Sequence, residues 1–341
     1  MLFEMPKKIK CRLCGKESIE ISSALKVCLA CIRNKPEEAM EIAKEAHRKI
    51  RKEYGLPADP PRNDGIHCKI CANECRIGEG EKGYCGLREN INGKMVVKQG
   101  LLHTYYDTLP TNCCASWFCG AKEGYNLAVF PFACSFNCIF CQNYQHKNLE
   151  MADIIGVNTL VKQAEKANCI CYFGGTPEPQ LPFLLKVTKA ILENKMVRIC
   201  WEWNGTGNKK LVRRAAEFSY DSNGIIKFDL KAFDNNLHIA LTGRPNIRTL
   251  ENFEMIAKEF DGILTATTLL IPGYIDGEEV RKIAEFISSL NQNIPYSLLA
   301  FHPDFKMLDM PFTSRKLALE CYEVAKKYLK SVYIGNKHLL V

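Results

Sequence analysis

From position 126 onward, short apolar runs alternate with amphipathic stretches of helical period. The runs at 127–132, 170–173, 197–203, 225–230, 264–271 and 297–301 have the length and the β-branched or aromatic content of buried strands, and 332–334 is a short seventh. Between them, 159–167, 183–193, 250–260, 278–290 and 314–329 carry apolar residues on one helical face. Strands alternating with helices predict βα units and a parallel sheet. Six repeats are too few to close an eight-stranded barrel. The pattern therefore predicts an α/β protein with a partial (β/α)6 TIM-like barrel over residues 126–341.

The first third of the chain has a different texture. A helix is expected over 36–54: Pro36 stands at its first position, Glu37 and Glu38 lie in its first turn, and Gly55 and Pro57 lie just past its end. Ala39, Ile42, Ala43, Ala46 and Ile50 give it one apolar face, which suits a spacer packed on a neighbour. The Pro- and Asp-rich stretch at 58–65 reads as a linker. The expected divisions are a small cysteine module at 1–35, helix and linker at 36–64, a cysteine-rich region at 65–125 and the barrel beyond.

Among 341 residues there are 18 cysteines, and the formal net charge is +8. The charge excess is too small and too scattered to predict nucleic-acid binding by itself. There is no run of about 18 apolar residues and no secretory leader. The expectation is a cytoplasmic protein with no membrane partner, whose clustered cysteines serve metals rather than disulfides.

Three cysteine groups carry that expectation. Cys11, Cys14, Cys28 and Cys31 form two C-x2-C knuckles of zinc-ribbon or rubredoxin-like spacing, for zinc or iron. Cys68, Cys71, Cys75 and Cys85 supply four thiols within about twenty residues, for zinc or an auxiliary Fe–S cluster. Cys134, Cys138 and Cys141, spaced C-x3-C-x2-C, can hold three corners of a 4Fe–4S cluster and leave the fourth iron to an exchangeable molecule. A zinc site is the alternative for this loop, although a second nearby knuckle is lacking. Cys113, Cys114 and Cys119 are open between completing a site, redox activity and simple burial.

With Phe140 directly before its last cysteine, the third group resembles the signature loop of radical S-adenosylmethionine (radical SAM) enzymes. From Cys134 to Asn336 the order of motifs resembles pyruvate formate-lyase activating enzymes, and within them the AmmeMemoRadiSam-type proteins. The supporting segments are Cys141-Gln142-Asn143, Asp229-Leu230-Lys231-Ala232-Phe233, Leu241-Thr242-Gly243, Leu270-Ile271-Pro272-Gly273-Tyr274 and Phe301-His302-Pro303. Residues 1–60 lie outside that resemblance.

The resemblance implies a partial barrel, a 4Fe–4S cluster, SAM chelated on its open iron, and reductive formation of a 5′-deoxyadenosyl radical. Functional groups of such barrels gather at the C-terminal ends of the strands. Gly174, Gly175, Thr176, Pro177 and Glu178 resemble the GGEP motif that faces the SAM ammonium, with Thr176 in place of the usual acid and Glu178 as a substitute for it. Glu202 and Asn204 are expected at the ribose, Asp229 and Lys231 at the sulfonium or carboxylate, and His302 near the adenine or ribose. Flavodoxin or ferredoxin is the electron donor that the resemblance implies, and a protein substrate is the partner. Two other readings compete. One is an iron–sulfur electron-transfer or scaffold protein on a decayed barrel. The other is an RNA-binding or RNA-modifying protein with zinc ribbons, motivated by Lys7, Lys8 and Lys10 beside the first knuckle.

Overall fold

The computed structural model describes residues 7–341. A two-residue antiparallel pair, β1 (Ile9–Lys10) and β2 (Glu17–Ser18), carries the first knuckle, and α1 (Leu29–Asn34) begins directly after Cys28. Helix α2 (Pro36–Glu53) has Pro36 in its first turn with Glu37 and Glu38, and Arg51 and Lys52 in its last, so its charges complement its dipole at both ends. Four short strands follow as two antiparallel pairs, β3 (Ile66–His67) with β4 (Arg76–Ile77) and β5 (Arg88–Ile91) with β6 (Lys94–Val97).

The remaining elements are β7 (Leu101–Thr108), β8 (Tyr125–Pro131), β9 (Asp153–Ile154), α3 (Val157–Ala164), β10 (Cys169–Tyr172), α4 (Leu181–Asn194), β11 (Arg198–Trp203), α5 (Lys209–Asp221) and β12 (Ile226–Asp229). Then come α6 (Asn235–Thr242), α7 (Ile247–Glu259), β13 (Leu264–Leu270), α8 (Gly277–Asn291), β14 (Tyr296–Ala300), α9 (Arg315–Lys326) and β15 (Val332–Gly335). One nine-stranded sheet runs β15-β14-β13-β12-β11-β10-β8-β7-β9. All pairs from β8 to β15 are parallel, and the terminal strands β9 and β15 do not meet, which leaves the barrel partial.

Two features extend the expected pattern. Seven parallel strands are present, so the short last run is a full member of the sheet. In addition, β7 pairs antiparallel with β8 along seven residues, so the sheet reaches back across position 126 into the cysteine-rich stretch. Its sequence hid it: Tyr105 and Tyr106, on opposite faces, both stand exposed and His103, Thr104 and Asp107 interrupt the apolar pattern, so no clean alternation marks the strand.

The strands bury one face against the helices. Tyr172 stacks on Trp201 with centroids 4.4 Å apart. Thr188 of α4 donates to the Tyr172 hydroxyl at 2.9 Å, and Trp201 Nε1 donates to the carbonyl of Ala215 in α5 at 3.2 Å. By the two-residue period of a strand, Cys169, Cys171, Cys200 and Glu202 therefore point to the concave side. The N-terminal cysteine module is docked on the loop after β13. The Tyr274 hydroxyl accepts from the Ser22 amide at 3.0 Å and donates to the Val27 carbonyl at 3.1 Å, while Arg33 grips Asp276 bidentately at 2.8 and 2.9 Å. Among the described residues no helix is long and apolar enough to cross a membrane.

Candidate functional site

The loop after β8 brings Cys134, Cys138 and Cys141 to the C-terminal edge of the sheet. Its backbone is tied to the end of α6: the Asn137 amide donates to Thr242 O at 2.8 Å and the Ile139 amide to Leu241 O at 3.1 Å. The Asn137 side chain, fully buried, accepts from Lys147 Nζ at 2.8 Å and bonds His47 of α2 at 3.0 Å. Burial pushes all three thiols up, Cys138 to about 11, while the nearby Lys147 and Lys231 act in the opposite sense. Such thiols ionise readily only when a cation takes them.

The three cysteines, Gly174, Gly175, Thr176, Glu202, Asn204, Asp229 and Lys231 line one open cavity of about 190 Å³. Seven of the ten residues expected to hold SAM thus meet the three expected to hold the cluster. Gly174 has φ +106°, and a Cβ there would lie 2.7 Å from the Phe130 ring. A Cβ on Gly175 would lie 2.3 Å from Ala133 O, so the chain after β10 touches the cysteine loop as only glycine permits.

Three expected residues are not at the cavity. Glu178 is fully buried, accepts from the Thr176 hydroxyl, and takes the Thr206 amide at 3.0 Å. It holds the loops after β10 and β11 together and does not replace the missing acid; burial lifts its pKa to about 7. Pro177 caps the short turn that carries Glu178. His302 lies beyond the end of β14, with Nδ1 3.3 Å from Pro303 O, and is absent from the cavity wall.

The remaining polar residues have defined partners. Asn204 Nδ2 donates to Ser135 Oγ at 2.8 Å and lies 3.6 Å from Cys134 Sγ, tying the end of β11 to the cysteine loop. Asp229 accepts from Thr267 at 2.8 Å and pairs with Lys231 at 3.1 Å and Lys227 at 3.3 Å. Burial would raise its carboxyl, but the two ammonium groups outweigh it and hold the pKa well below the usual range. Lys227, which also pairs with Glu202 at 2.8 Å, was missed by sequence reasoning; its position two residues before Asp229 on the same strand face was the available signal. Thr267, Leu269, Trp203 and His146 also line the cavity, and the buried Trp203 Nε1 and His146 Nδ1 have no hydrogen-bond partner among the described residues.

The donor set fits a cluster and not a single ion. Among the described residues, only Cys11, Cys14, Cys28 and Cys31 bring three or more ligand atoms within 4.8 Å of one another. Cys11–Cys31 and Cys14–Cys28 are each 3.7 Å apart, close to the edge of about 3.8 Å that four sulfurs at about 2.3 Å from one zinc define. The loop cysteines are spread more widely, as ligands to separate irons must be. Cys68, Cys71, Cys75 and Cys85 are likewise not gathered as the first set is, and line a small cavity of about 10 Å³.

A model of the radical SAM superfamily matches residues 129–287. A protein of Methanocaldococcus jannaschii described as uncharacterised is 27% identical over 301 residues, covering 80% of this chain and 81% of its own length. Pyruvate formate-lyase-activating enzyme of Staphylococcus aureus is 28% identical over 191 residues, covering 52% of this chain and 75% of its own. A solved domain of pyruvate-formate lyase-activating enzyme from Bacteroides vulgatus aligns at a TM-score of 0.43 with 22% identity, over 50% of this chain and 100% of that one. This chain is an enzyme of the radical SAM class. Within that class it is similar to the pyruvate formate-lyase-activating enzymes.

Proposed function

We propose that this enzyme binds SAM on a 4Fe–4S cluster held by Cys134, Cys138 and Cys141, and abstracts a hydrogen atom from a protein or peptide partner. The observation that carries this reading is the single cavity shared by the three thiols, the Gly174–Gly175 backbone and the charged ends of β11 and β12. When bound, the reduced cluster and SAM supply a 5′-deoxyadenosyl radical. The chain's own residues position and shield. Gly174 and Gly175 offer backbone carbonyls to the SAM ammonium, Lys231 offers its ammonium to the carboxylate, and Glu202 accepts from the ribose hydroxyls. Phe136, Phe140 and Trp203 wall the cavity against water. The protein substrate is supported by the name of the Staphylococcus relative, whose stated role is to activate another enzyme. An external flavodoxin or ferredoxin would deliver the electron.

Of the upstream sites, the N-terminal four-cysteine set takes one zinc ion and Cys68, Cys71, Cys75 and Cys85 take an auxiliary cluster, in keeping with their different sulfur spacings. The test is anaerobic reconstitution with iron and sulfide, reduction with SAM present, and quantification of 5′-deoxyadenosine in wild type and Cys138→Ala. Formation in the wild type alone is expected. An intact cluster without 5′-deoxyadenosine would instead favour the electron-transfer reading.

A further inference from the structure

Six more cysteines meet inside the barrel, below the cavity. Cys169 and Cys171 stand on β10 and Cys200 on β11, all on the concave side, with Cys171 and Cys200 paired in register. The other three come from the connection between β7 and β8. That segment is closed at its base by the Leu109 amide on Gly124 O at 2.9 Å, and it crosses the N-terminal end of the sheet. Trp117 anchors its far side: the indole donates to Ser297 of β14 at 3.2 Å and stacks on Tyr333 of β15 at 5.2 Å. The segment thereby plugs the barrel from below and carries Cys113, Cys114 and Cys119 to the strand cysteines. All six thiols are free and none is more than partly exposed.

We propose that Cys113, Cys119, Cys169 and Cys200 hold a further iron–sulfur cluster inside the barrel, beneath the cavity assigned to SAM. Each of the four lies within electrostatic reach of the other three. Cys113 and Cys119 of the plug are both electrostatic neighbours of Cys169 and of Cys200 on the strands. Their sulfurs are not gathered within 4.8 Å as the zinc-like set is, so one ion cannot span them, whereas the separate irons of a cluster can. Backbone amides already point at the sulfurs, Ala121 N–H at Cys119 (3.5 Å) and Ile225 N–H at Cys200 (3.4 Å), as protein donors do around cluster thiolates. The remaining pair faces the reaction space: Cys171 Sγ lies 3.5 Å from Glu202, which lines the SAM cavity. Two chain regions far apart in sequence thus supply one thiol set, two from the plug and two from the strands.

The inference concerns thiols distinct from those of the proposed SAM cluster, so its failure is separable from failure of that reading. The full chain is purified and reconstituted anaerobically, and iron, acid-labile sulfide and the reduced electron paramagnetic resonance spectrum are compared for wild type, Cys113→Ser/Cys119→Ser, Cys169→Ser/Cys200→Ser and the buried-thiol control Cys321→Ser. Each double variant is expected to lose about two to about four irons with matching sulfide, and one resonance that SAM does not perturb. The control loses none. The plug variant lies on turns rather than strands, so it decides the matter even where the strand variant folds poorly. A plug variant with unchanged circular dichroism that keeps its full iron and sulfide overturns the inference. Absence of any SAM-perturbed resonance in the wild type would overturn the proposed function and leave this count standing.

Discussion

His47 and Asn137 are hydrogen-bonded, ring Nδ1 to amide Nδ2 at 3.0 Å, across the boundary between α2 and the cysteine loop. The other ring nitrogen lies 3.0 Å from Ala240 O and must donate to it, so the imidazole is neutral and its Nδ1 accepts. The N-terminal helix therefore fixes the loop that carries Cys138, and is more than a spacer. His47→Ala should lower stability by about 1–3 kcal/mol, because Asn137 and Ala240 O lose a buried partner. Thermal melting and the rate of iron loss to a chelator check this; unchanged values for both would sink the bracing role.

Burial pushes His47 down to about 4 and Glu178 up to about 7, with opposite consequences for stability. For the histidine, the unfolded chain binds the proton more tightly, so its contribution is present above about pH 6.5 and is lost as pH falls toward 4. For the glutamate, the folded state binds it more tightly, so its contribution is present below about 4.5 and is lost as pH rises toward 7. Glu178→Gln removes only the second effect. Its stability relative to wild type should rise between pH 5 and 7.5, by up to roughly 3 kcal/mol. Denaturant titrations at the two pH values measure the change, and a constant difference would contradict the buried protonated acid.

Lys231→Met should weaken SAM binding about 10- to 100-fold, the loss expected for a hydrogen bond to a charged group. Asp229 keeps Lys227 as its partner in the variant, so folding and iron content should stay at wild-type values. Equilibrium dialysis of SAM against the reconstituted protein gives the affinity. Unchanged binding would remove Lys231 from the carboxylate contact.

Gly175→Ala places a methyl group 2.3 Å from Ala133 O and 2.9 Å from the His146 ring, so the backbone beside Cys134 must move. Expected is a loss of roughly 1–3 kcal/mol, with reduced iron retention. Gly156→Ala, whose Cβ meets nothing within 4 Å and which adjoins none of the cysteine groups, is the matched control. Equal iron retention in the two would refute the close-contact argument.

Cys11→Ser should abolish binding of about one zinc ion per chain and leave iron unchanged. Elemental analysis after purification reads both. Iron replaced in that site, or zinc retained by the variant, would reverse the assignment.

Much of the barrel was legible because its strands bury the face against the helices completely and the helices bury one stripe, which writes the period directly into residue type. The expected strand at 170–173 and the observed Cys169–Tyr172 differ by one residue at each end. Strand β7 was not legible, since Tyr105 and Tyr106 are both exposed although they lie on opposite faces, Asp107 breaks the apolar run, and its pairing partner, not its pattern, makes it a strand. The gathering of Gly174, Glu202, Asn204 and Asp229 followed from the rule that strand ends share one rim, and Lys227 was missed only because its place on the same face was not carried back two residues. Glu178 and His302 failed for another reason: where a side chain points after a strand has ended depends on the turn that follows, which a sequence leaves open.

The sequence by itself determined the βα repeat, the loop of three cysteines and the strand-end residues, because hydrophobic period and ligand spacing are local properties. Only the tertiary structure decided that Cys11, Cys14, Cys28 and Cys31 gather their sulfurs within 4.8 Å of one another while the other cysteine groups among the described residues do not, and that the segment carrying Cys113 and Cys119 lies across the end of the barrel. That placement is fixed by Trp117 on the far strands β14 and β15, and contacts across so much intervening chain leave no periodic trace in it.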